Sequence, residues 1–238
     1  ERALAHARQP FDLERGPLLR VTLLRLEPLR HVLLFNAHHI ISDDWSMGVL
    51  VNEFIKLHDT LLCGEEPRLP PLHLHYRDYA AWQNARLRAD GMAGHRDYWR
   101  TRFAGEIPVL HLPTDFPRPA VKTYAGRTRA FTLPPELAAG LHGIARRQQA
   151  SLFMVLTAAV HVLLHRHSDQ RELIVGCPIA GRNHPDLEDQ IGFYVNTLPL
   201  RATIDPQAPF TSLLAQVRQT ATEAYDHQAY PFDRLVDD

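Results

Sequence analysis

The pattern of apolar and polar positions near the start of the chain predicts a β-hairpin followed by an amphipathic helix. Two apolar-rich runs, 18–26 and 31–35, are separated by a short polar segment, so we expect them to pair as antiparallel strands. After a polar turn, large apolar residues recur near helical spacing as far as Gly64. This recurrence predicts a helix that is capped by Asp44 or Ser46.

Helices and strands continue to alternate through the rest of the chain. Apolar spacing and helix-start signals predict five further helices, over 76–88, 95–103, 134–148, 152–164 and 210–225. Apolar and β-branched runs predict three further strands, over 128–133, 173–177 and 193–201. The 152–164 helix is apolar nearly all round, so we expect Ser151 to cap a buried helix, and we expect 173–177 to be a central strand. This alternation is typical of the α/β and α+β classes.

A proline-rich segment separates the two halves of the chain. Four prolines lie within residues 108–119, and this density excludes a helix there. We therefore expect a connection between two lobes at this point. The predicted boundary divides the chain into an N-terminal part, 1–117, and a C-terminal part, 118–238.

Composition and charge narrow the possible classes of function. The 238 residues are 45% hydrophobic, which is enough for a packed core. A formal net charge of -1 argues against a strongly basic nucleic-acid surface, and the apolar runs are too short for a membrane span. The two cysteines, Cys63 and Cys177, form no CxxC pair, so they indicate neither a disulfide framework nor a thiolate zinc site. Such cysteine usage fits a reducing cytoplasm.

The most distinctive polar stretch, 36–46, lies between the second predicted strand and the helix that follows it. It contains the adjacent residues His38 and His39, and Asp43 follows four positions later. An imidazole at the mouth of a turn is suited to accept a proton, because histidine titrates near neutral pH. Neighbouring side chains on extended backbone point to opposite faces, so we expect only one of the two histidines to face a site. The competing interpretation is a histidine that packs in a core.

Four stretches resemble, in order, the motifs of nonribosomal peptide synthetase condensation domains, within the superfamily that includes chloramphenicol acetyltransferase. They are HHIISDDWS at 38–46, YRDYAAW at 76–82, IGFYVNTL at 191–198 and HQAYPFD at 227–233. The resemblance implies a two-lobed chloramphenicol acetyltransferase-like sandwich, a V-shaped pseudo-dimer with its active site in a channel between the lobes. Family motifs that normally precede and follow these stretches are missing, and the chain does not begin with methionine. We therefore expect an internal fragment, truncated at both ends.

The resemblance also implies an activity and a set of partners. Condensation domains form an amide bond between a donor acyl or peptidyl thioester and the amine of an acceptor aminoacyl thioester. Both thioesters are carried by phosphopantetheine on upstream and downstream peptidyl carrier proteins, and an adenylation domain is expected in the same polypeptide. The resemblance implies no directly bound cofactor, no metal, and neither a nucleic-acid nor a membrane partner. The expected pathway is the biosynthesis of a secondary metabolite such as an antibiotic.

Individual roles follow from the same resemblance. His39 is the catalytic candidate, as the proton acceptor or the positioning group for the attacking amine, and His38 is expected to be structural. Asp43 is expected to hold the turn through an ion pair with an arginine. Arg182 is the candidate for this arginine, and an ordinary exposed loop arginine is the alternative.

One residue departs from the family pattern, and three others are candidates for the substrate channel. Asp44 stands where the family has glycine, so it brings bulk and charge to the turn. A carboxylate near His39 favours imidazolium and weakens it as a base, so we expect Asp44 to lower activity. Trp45, Ser46 and Asn196 are the channel candidates, although the Asn196 amide is equally suited to satisfying local backbone groups.

Other interpretations stay open at this stage. A metal site could use the double histidine with Asp43, or His73 with His75, but no recognised metal motif accompanies them. A free-standing acyltransferase of the same superfamily, using coenzyme A or a carrier-bound acyl group, would share the double histidine. A degenerate domain that only docks carrier proteins would explain Asp44 and the missing flanks.

Overall fold

The computed structural model describes residues 2–123 and 125–238. The chain divides into two compact units. The first unit comprises Glu1–Gly91 and Ala180–Val195, and the second comprises Met92–Ile179 and Asn196–Asp238. The boundary expected at 117/118 separates the two lobes that the family resemblance implies. Because these lobes are defined differently from the two compact units, the boundary stays a prediction.

The first unit is built on the hairpin that the sequence predicts. Its elements are α1 (Arg2–Arg8), β1 (Leu19–Glu27), β2 (Arg30–Ala37), α2 (Asp44–Leu62) and α3 (Tyr76–Arg88). β1 and β2 pair antiparallel, with Leu23 opposite Leu33. Phe54 of α2 meets Phe35 of β2 edge to face, with ring centroids 5.8 Å apart. This contact joins the long helix to the hairpin strand that leads to the histidines.

The N-terminal cap of α2 differs from the expectation. The capping residue is Asp43, whose carboxylate accepts a hydrogen bond from the backbone N–H of Ser46 at 2.8 Å. Asp43 has the extended backbone that a cap requires (φ −119°, ψ −178°). Asp44 and Ser46 already lie in the first helical turn. Assignment of the cap to either of them was therefore wrong.

The second unit packs two helices against a two-stranded sheet. Its elements are α4 (Ala93–Arg102), α5 (Pro135–Arg147), α6 (Leu152–Ser168), β3 (Glu172–Ile179), β4 (Asn196–Thr203), α7 (Phe210–Asp226) and α8 (Phe232–Asp237). β3 and β4 pair antiparallel, with Val175 opposite Leu200. Helix α7 contacts β4 and α6, and α6 also contacts β3 and α5. Fully buried residues in this unit include Val155, Ala158, Leu173, Leu198, Leu214 and Val217.

Helix α6 begins as predicted but is not buried on every side. The Ser151 hydroxyl accepts a hydrogen bond from the Met154 N–H at 3.2 Å, which confirms the predicted cap. One face of the helix is buried, whereas Phe153, Leu156, Val160 and Leu163 are exposed. The expectation of a fully buried helix was wrong because, within the described part of the chain, neighbouring elements cover only one face.

Two strand predictions also differ from the structure. Residues 128–133 form no strand in the described part of the chain. Strand β3 forms but pairs only with β4 among the described residues, so it is not central. A strand needs a neighbour for its backbone N–H and C=O groups, and a local apolar pattern does not supply one.

The length and apolar character of the helices bear on whether any of them could cross a membrane. None of those in the described ranges, taken singly, is both long and apolar enough to span a bilayer. Helices α5 and α6 meet the requirement only as a pair, and they bend by 105° between them.

Candidate functional site

The candidate site lies in the first unit, in the turn between β2 and α2. Strand β2 ends at Ala37, and His39–Ile41 form a single 3-10 turn. His38 precedes this turn with extended backbone, and its Nδ1 accepts a hydrogen bond from the N–H of Ile40 at 3.1 Å. Its ring also packs edge to face against Phe11, with centroids 5.9 Å apart. The side chain of His38 is therefore engaged in holding the turn.

His39 is the exposed histidine of the pair. Its Nδ1 lies 2.6 Å from the backbone carbonyl oxygen of Ser42. Because a carbonyl oxygen only accepts hydrogen bonds, Nδ1 carries the hydrogen, and Nε2 of the neutral ring is the basic nitrogen. No described residue is a hydrogen-bond partner of Nε2. The local geometry thus presents one imidazole nitrogen that can accept a proton.

Asp43 is the buried centre of the turn. Its side chain and that of Arg182 are 0% and 1% exposed, and Arg182 Nη2 lies 3.1 Å from Asp43 Oδ1. The Ser46 N–H donates to Oδ1 at 2.8 Å, and the Ser46 hydroxyl lies 2.6 Å from the same oxygen. The Tyr194 N–H donates to Oδ2 at 3.0 Å. Burial by itself raises the pKa of Asp43, but these hydrogen bonds and the Arg182 charge together hold it below its usual value. Asp43 is therefore a carboxylate that anchors neighbouring segments.

Arg182 ties the start of α2 to the segment that follows β3. Its Nη2 donates to Asp43 and, at 2.9 Å, to the Ser46 hydroxyl. Its Nη1 donates to the backbone carbonyls of Leu187 and Gln190. The guanidinium also lies over a tyrosine ring, 4.2 Å from the ring centroid of Tyr194. Arg182 is thus the partner of Asp43 that the sequence proposed, and it is not an exposed loop arginine.

The hydroxyl of Ser46 is fully buried and joins the same two segments. It accepts hydrogen bonds from Arg182 and, at 3.1 Å, from the N–H of Gly192. Its single hydrogen points to Asp43 or to the Gly192 carbonyl, at 2.6 and 2.8 Å. The hydrogen-bonding positions of this hydroxyl are taken by other protein groups. A channel role for Ser46 stays a prediction.

Two glycines allow close contacts within the 180–195 segment and between this segment and α3. Gly181 has a φ of +67°, and a Cβ there would lie 2.0 Å from the carbonyl oxygen of Tyr194. A Cβ on Gly192 would lie 2.4 Å from the Tyr76 ring. A larger residue at Gly181 would collide with the Tyr194 backbone, whose N–H bonds to Asp43, and a larger residue at Gly192 would collide with the Tyr76 ring.

Asn196 lies in the second unit, where its amide is fully occupied. Its Nδ2 donates to the carbonyls of Gln228 and Tyr230, at 2.9 and 2.8 Å. Its Oδ1 accepts from the N–H groups of Thr197 and Phe232, both at 2.9 Å. These four bonds use every donor and acceptor site that the side chain has. They correspond to the backbone-satisfying role that the sequence left open, and a substrate contact stays a prediction.

This arrangement of motifs was compared with known proteins. The model of the condensation-domain family matches residues 1–238. The chain belongs to the condensation-domain family. Both the family predicted from the sequence motifs and the chloramphenicol acetyltransferase-like fold that it implies are thereby confirmed.

A much longer synthase is among the curated relatives of this condensation domain. This chain is 45% identical, over 229 residues, to tyrocidine synthase 3 of Brevibacillus parabrevis. That match covers 96% of this chain but 3% of the relative, so the chain spans a small part of the curated relative.

Three solved structures share its fold. The X-domain from teicoplanin biosynthesis has a TM-score of 0.91 and 28% identity, covering 98% of this chain and 53% of that one. The same X-domain, in complex with OxyB, also matches with a TM-score of 0.91. The first condensation domain of the calcium-dependent antibiotic synthetase has a TM-score of 0.76 and 24% identity, covering 97% of this chain and 51% of that one. This chain therefore spans about half of these solved chains.

Asp44 and Trp45 occupy the exposed start of α2 in this condensation domain. Asp44 is the first residue of the helix and is not among the described residues with positive φ, so the backbone there does not require glycine. Its carboxylate suits the positive end of the helix dipole. Trp45 is 46% exposed, and its indole N–H donates to the Glu188 carbonyl at 2.8 Å. A channel role for Trp45 stays a prediction.

Two tyrosines in the sequence motifs, Tyr76 and Tyr194, take part in the site, and the local sequence pattern did not indicate this role. The Tyr76 hydroxyl donates to the Phe193 carbonyl at 3.0 Å, and the Tyr194 N–H reaches Asp43. Both tyrosines lie in recognised motifs, but local pattern does not say which distant segment a motif will meet.

The metal alternative requires several ligating side chains that converge on one point. Residues 2–123 and 125–238 contain no group of three or more His, Cys, Asp or Glu side chains that could hold a metal ion.

Proposed function

We propose that this condensation domain forms an amide bond between a donor acyl or peptidyl thioester and the amine of an acceptor aminoacyl thioester. The geometry of His39 is the observation that carries the proposal. Its Nδ1 is held by the Ser42 carbonyl at 2.6 Å, so the unbonded Nε2 faces away from that contact as a proton acceptor. The buried Asp43 and Arg182 pair fixes the turn that holds this ring.

The reaction balances with His39 as the proton-transfer group. The acceptor amine nitrogen attacks the carbonyl carbon of the donor thioester, a C–N bond forms, and the C–S bond breaks. Nε2 of His39 takes the proton that the nitrogen loses, and this proton leaves with the donor thiolate as a free thiol. His39 can also act by orienting the amine, and in both cases the imidazole meets the reacting nitrogen.

The proposed partners follow from the substrates. The two thioesters arrive on phosphopantetheine arms of upstream and downstream peptidyl carrier proteins, and an adenylation domain of the same polypeptide loads a carrier. The condensation domain itself is proposed to bind no cofactor directly. We place this chemistry in the cytoplasm.

Intact-protein mass spectrometry of the acceptor carrier tests the proposal. The acceptor carrier is mixed with a loaded donor carrier and with the enzyme, both as this 238-residue chain and as the full product of its gene. The expected result is a dipeptidyl mass on the acceptor that disappears with His39→Ala. An acyl-coenzyme A donor is run in parallel, and product from that donor alone would favour a free-standing acyltransferase.

His38→Gln is the matched control for His39→Ala. His38 is engaged in the turn through its contact with the Ile40 N–H, and glutamine can accept a comparable hydrogen bond. We expect this variant to retain product formation. Loss of product in His38→Gln, with product retained in His39→Ala, would contradict the assignment.

Docking without catalysis is the second candidate function. Two observations favour it: Asp44 replaces the family glycine, and an X-domain that has been solved in complex with OxyB matches this chain with a TM-score of 0.91. Absence of amide product from both enzyme forms, with carrier binding retained by this chain, would favour docking over condensation.

A further inference from the structure

The exposed ring of Phe193 lies directly against the imidazole of His39. The two ring centroids are 5.2 Å apart, and the ring planes meet at 80°. This is the edge-to-face arrangement that aromatic pairs favour. The hydrogen bond from Nδ1 to the Ser42 carbonyl anchors one nitrogen of the imidazole. The contact with Phe193 adds a restraint on rotation of the ring about its bond to Cβ.

The backbone of Phe193 is held by its own neighbours and by α3. The Ser46 hydroxyl accepts from the Gly192 N–H at 3.1 Å and lies 2.8 Å from the Gly192 carbonyl. The Tyr76 hydroxyl donates to the Phe193 carbonyl at 3.0 Å. Two successive residues are therefore tied by side chains from different helices.

The next residue is tied to the histidine-bearing turn itself. The Tyr194 N–H donates to Asp43 Oδ2 at 3.0 Å, and the Tyr194 ring packs edge to face on Tyr76 with centroids 5.1 Å apart. Residues 192–194, which we call the clamped segment, are thus each hydrogen-bonded to a side chain of α2, α3 or the cap of α2. These hydrogen bonds restrain the backbone from which the Phe193 side chain projects.

Burial alone does not account for the position of Phe193. Phe193 is 39% exposed, whereas Tyr194 beside it is 3% exposed. An aromatic ring that serves only the core is buried almost completely, as Tyr194 is, because the loss of accessible surface is the source of its stabilising free energy. The clamped segment instead holds an aromatic ring at the surface, next to the exposed imidazole of His39.

We infer that Phe193 is a positioning residue, which orients the His39 imidazole so that Nε2 meets the acceptor amine. The inference rests on the proposed function, in which His39 acts on that amine. Reaction rates depend steeply on the alignment of reacting groups, so a freely rotating imidazole lowers turnover without changing how the acceptor binds. The ring of Phe193, and not its apolar volume, supplies the restraint.

Nuclear magnetic resonance of isotope-labelled histidine rings tests the restraint without an activity assay. The His39 signals are assigned by their loss in His39→Gln. We expect nuclear Overhauser contacts between the His39 and Phe193 rings, and we expect Phe193→Leu to shift and broaden the His39 signals as the imidazole samples further orientations. Phe193→Tyr keeps the ring and should keep the wild-type signals. Phe153→Leu is the matched control, because Phe153 in α6 is 40% exposed and belongs to the second unit.

Steady-state kinetics of amide formation test the catalytic consequence. We expect Phe193→Leu to lower kcat about tenfold, equivalent to ~1.4 kcal/mol in the barrier, with the KM for the acceptor unchanged. Phe193→Tyr should restore kcat, and Phe153→Leu should leave both constants at wild-type values. If Phe193 had a purely structural role, its substitution would instead lower the fraction of folded protein. The activities of Phe193→Leu and Phe193→Tyr would then follow the stabilities of the two variants.

Each result decides between the alternatives. Unchanged His39 signals in Phe193→Leu would overturn the inference at any level of activity, and so would changed signals with an unaltered kcat. A wild-type protein that makes no amide overturns the proposed function. In that case the nuclear magnetic resonance signals of the His39 ring still decide whether Phe193 orients the imidazole.

Discussion

Arg182 and Asp43 are 139 positions apart in the chain, yet they form a buried ion pair at 3.1 Å. The guanidinium donates to Asp43 and Ser46 on one side and to the carbonyls of Leu187 and Gln190 on the other. The pair therefore links the cap of α2 to the segment after β3. The geometry of the turn that carries His39 depends on this link.

Arg182→Ala is expected to destabilise the protein by about 3–5 kcal/mol, because it leaves the Asp43 carboxylate buried without its counter-charge. Arg182→Lys should also destabilise it, since an ammonium group does not reproduce the two-sided fork of the guanidinium. Urea unfolding measures both changes. Arg77→Ala is the control, because Arg77 is 84% exposed, and a loss as large as that of Arg182→Ala would contradict the prediction.

Asp43 is expected to make the free energy of unfolding decrease as the solution is acidified. Burial by itself raises the pKa of Asp43, but hydrogen bonds from Ser46 and Tyr194 and the Arg182 charge together hold this pKa in the folded protein below the unfolded value of 3.8. The stabilisation that the carboxylate provides is thus complete above the unfolded pKa and is lost as pH falls through the folded pKa.

Asp43→Asn removes this titration. Urea unfolding at a series of pH values should show a large stability difference between wild type and variant near neutral pH. That difference should shrink as the solution is acidified below the unfolded pKa of 3.8. A difference that stays constant down to strongly acidic pH would show that the Asp43 charge does not contribute to stability.

Gly181→Ala is expected to destabilise the protein by more than about 2 kcal/mol, since it adds a backbone collision to the cost of positive φ. The new Cβ would lie 2.0 Å from the Tyr194 carbonyl oxygen. Gly64→Ala is a matched control, because Gly64 has a φ of +74° and open space around it. Its cost should be about 1 kcal/mol. Thermal unfolding of both variants compares them, and equal losses would refute the collision.

Asp44→Gly is expected to raise turnover while lowering stability. The substitution removes the carboxylate from the exposed start of α2, which follows the turn that carries His39, and it also removes a favourable charge at the helix N-terminus. With the lower helix propensity of glycine, the stability loss should be roughly 1 kcal/mol. Asp44→Ala separates charge from backbone freedom. Turnover that is unchanged or lower in both variants would sink the hypothesis that Asp44 limits activity.

Asn196→Asp is expected to cost roughly 2–3 kcal/mol, because the carboxylate replaces two donated hydrogen bonds to the Gln228 and Tyr230 carbonyls with repulsion. Asn84→Asp is the control, since the Asn84 amide makes one exposed hydrogen bond to the Ala80 carbonyl. Chemical denaturation measures both. Wild-type stability in Asn196→Asp, combined with a raised acceptor KM, would instead favour the substrate role.

Local pattern alone predicted much of the fold. Helix α3 was predicted over 76–88 and is observed as Tyr76–Arg88, and the Ser151 cap and the β1 and β2 hairpin were also correct. These features depend on residues that are close in sequence, so their spacing contains the relevant information. The strand predicted over 128–133 lacked a partner strand in the described part of the chain, and no local pattern reveals that absence.

The start of β4 shows how tertiary contacts override a local pattern. A strand was predicted from residue 193, but β4 begins at Asn196. The backbone groups of the clamped segment bond to Ser46, Tyr76 and Asp43 instead of to a neighbouring strand. Those bonds explain why Phe193 and Tyr194 do not belong to the strand.

The sequence by itself determined the family, most of the helices and strands, and the stretch in which the chemistry would lie. Ordered motifs carry that information in residue identity and spacing. Only the tertiary structure decided that Asp43 is the cap of α2, that Ser46 is buried, and that Phe193 lies against His39. Hydrogen bonds form only within a few tenths of an ångström of their preferred separation, and ring contacts only over a short range of distances and angles, so both depend on how distant segments pack.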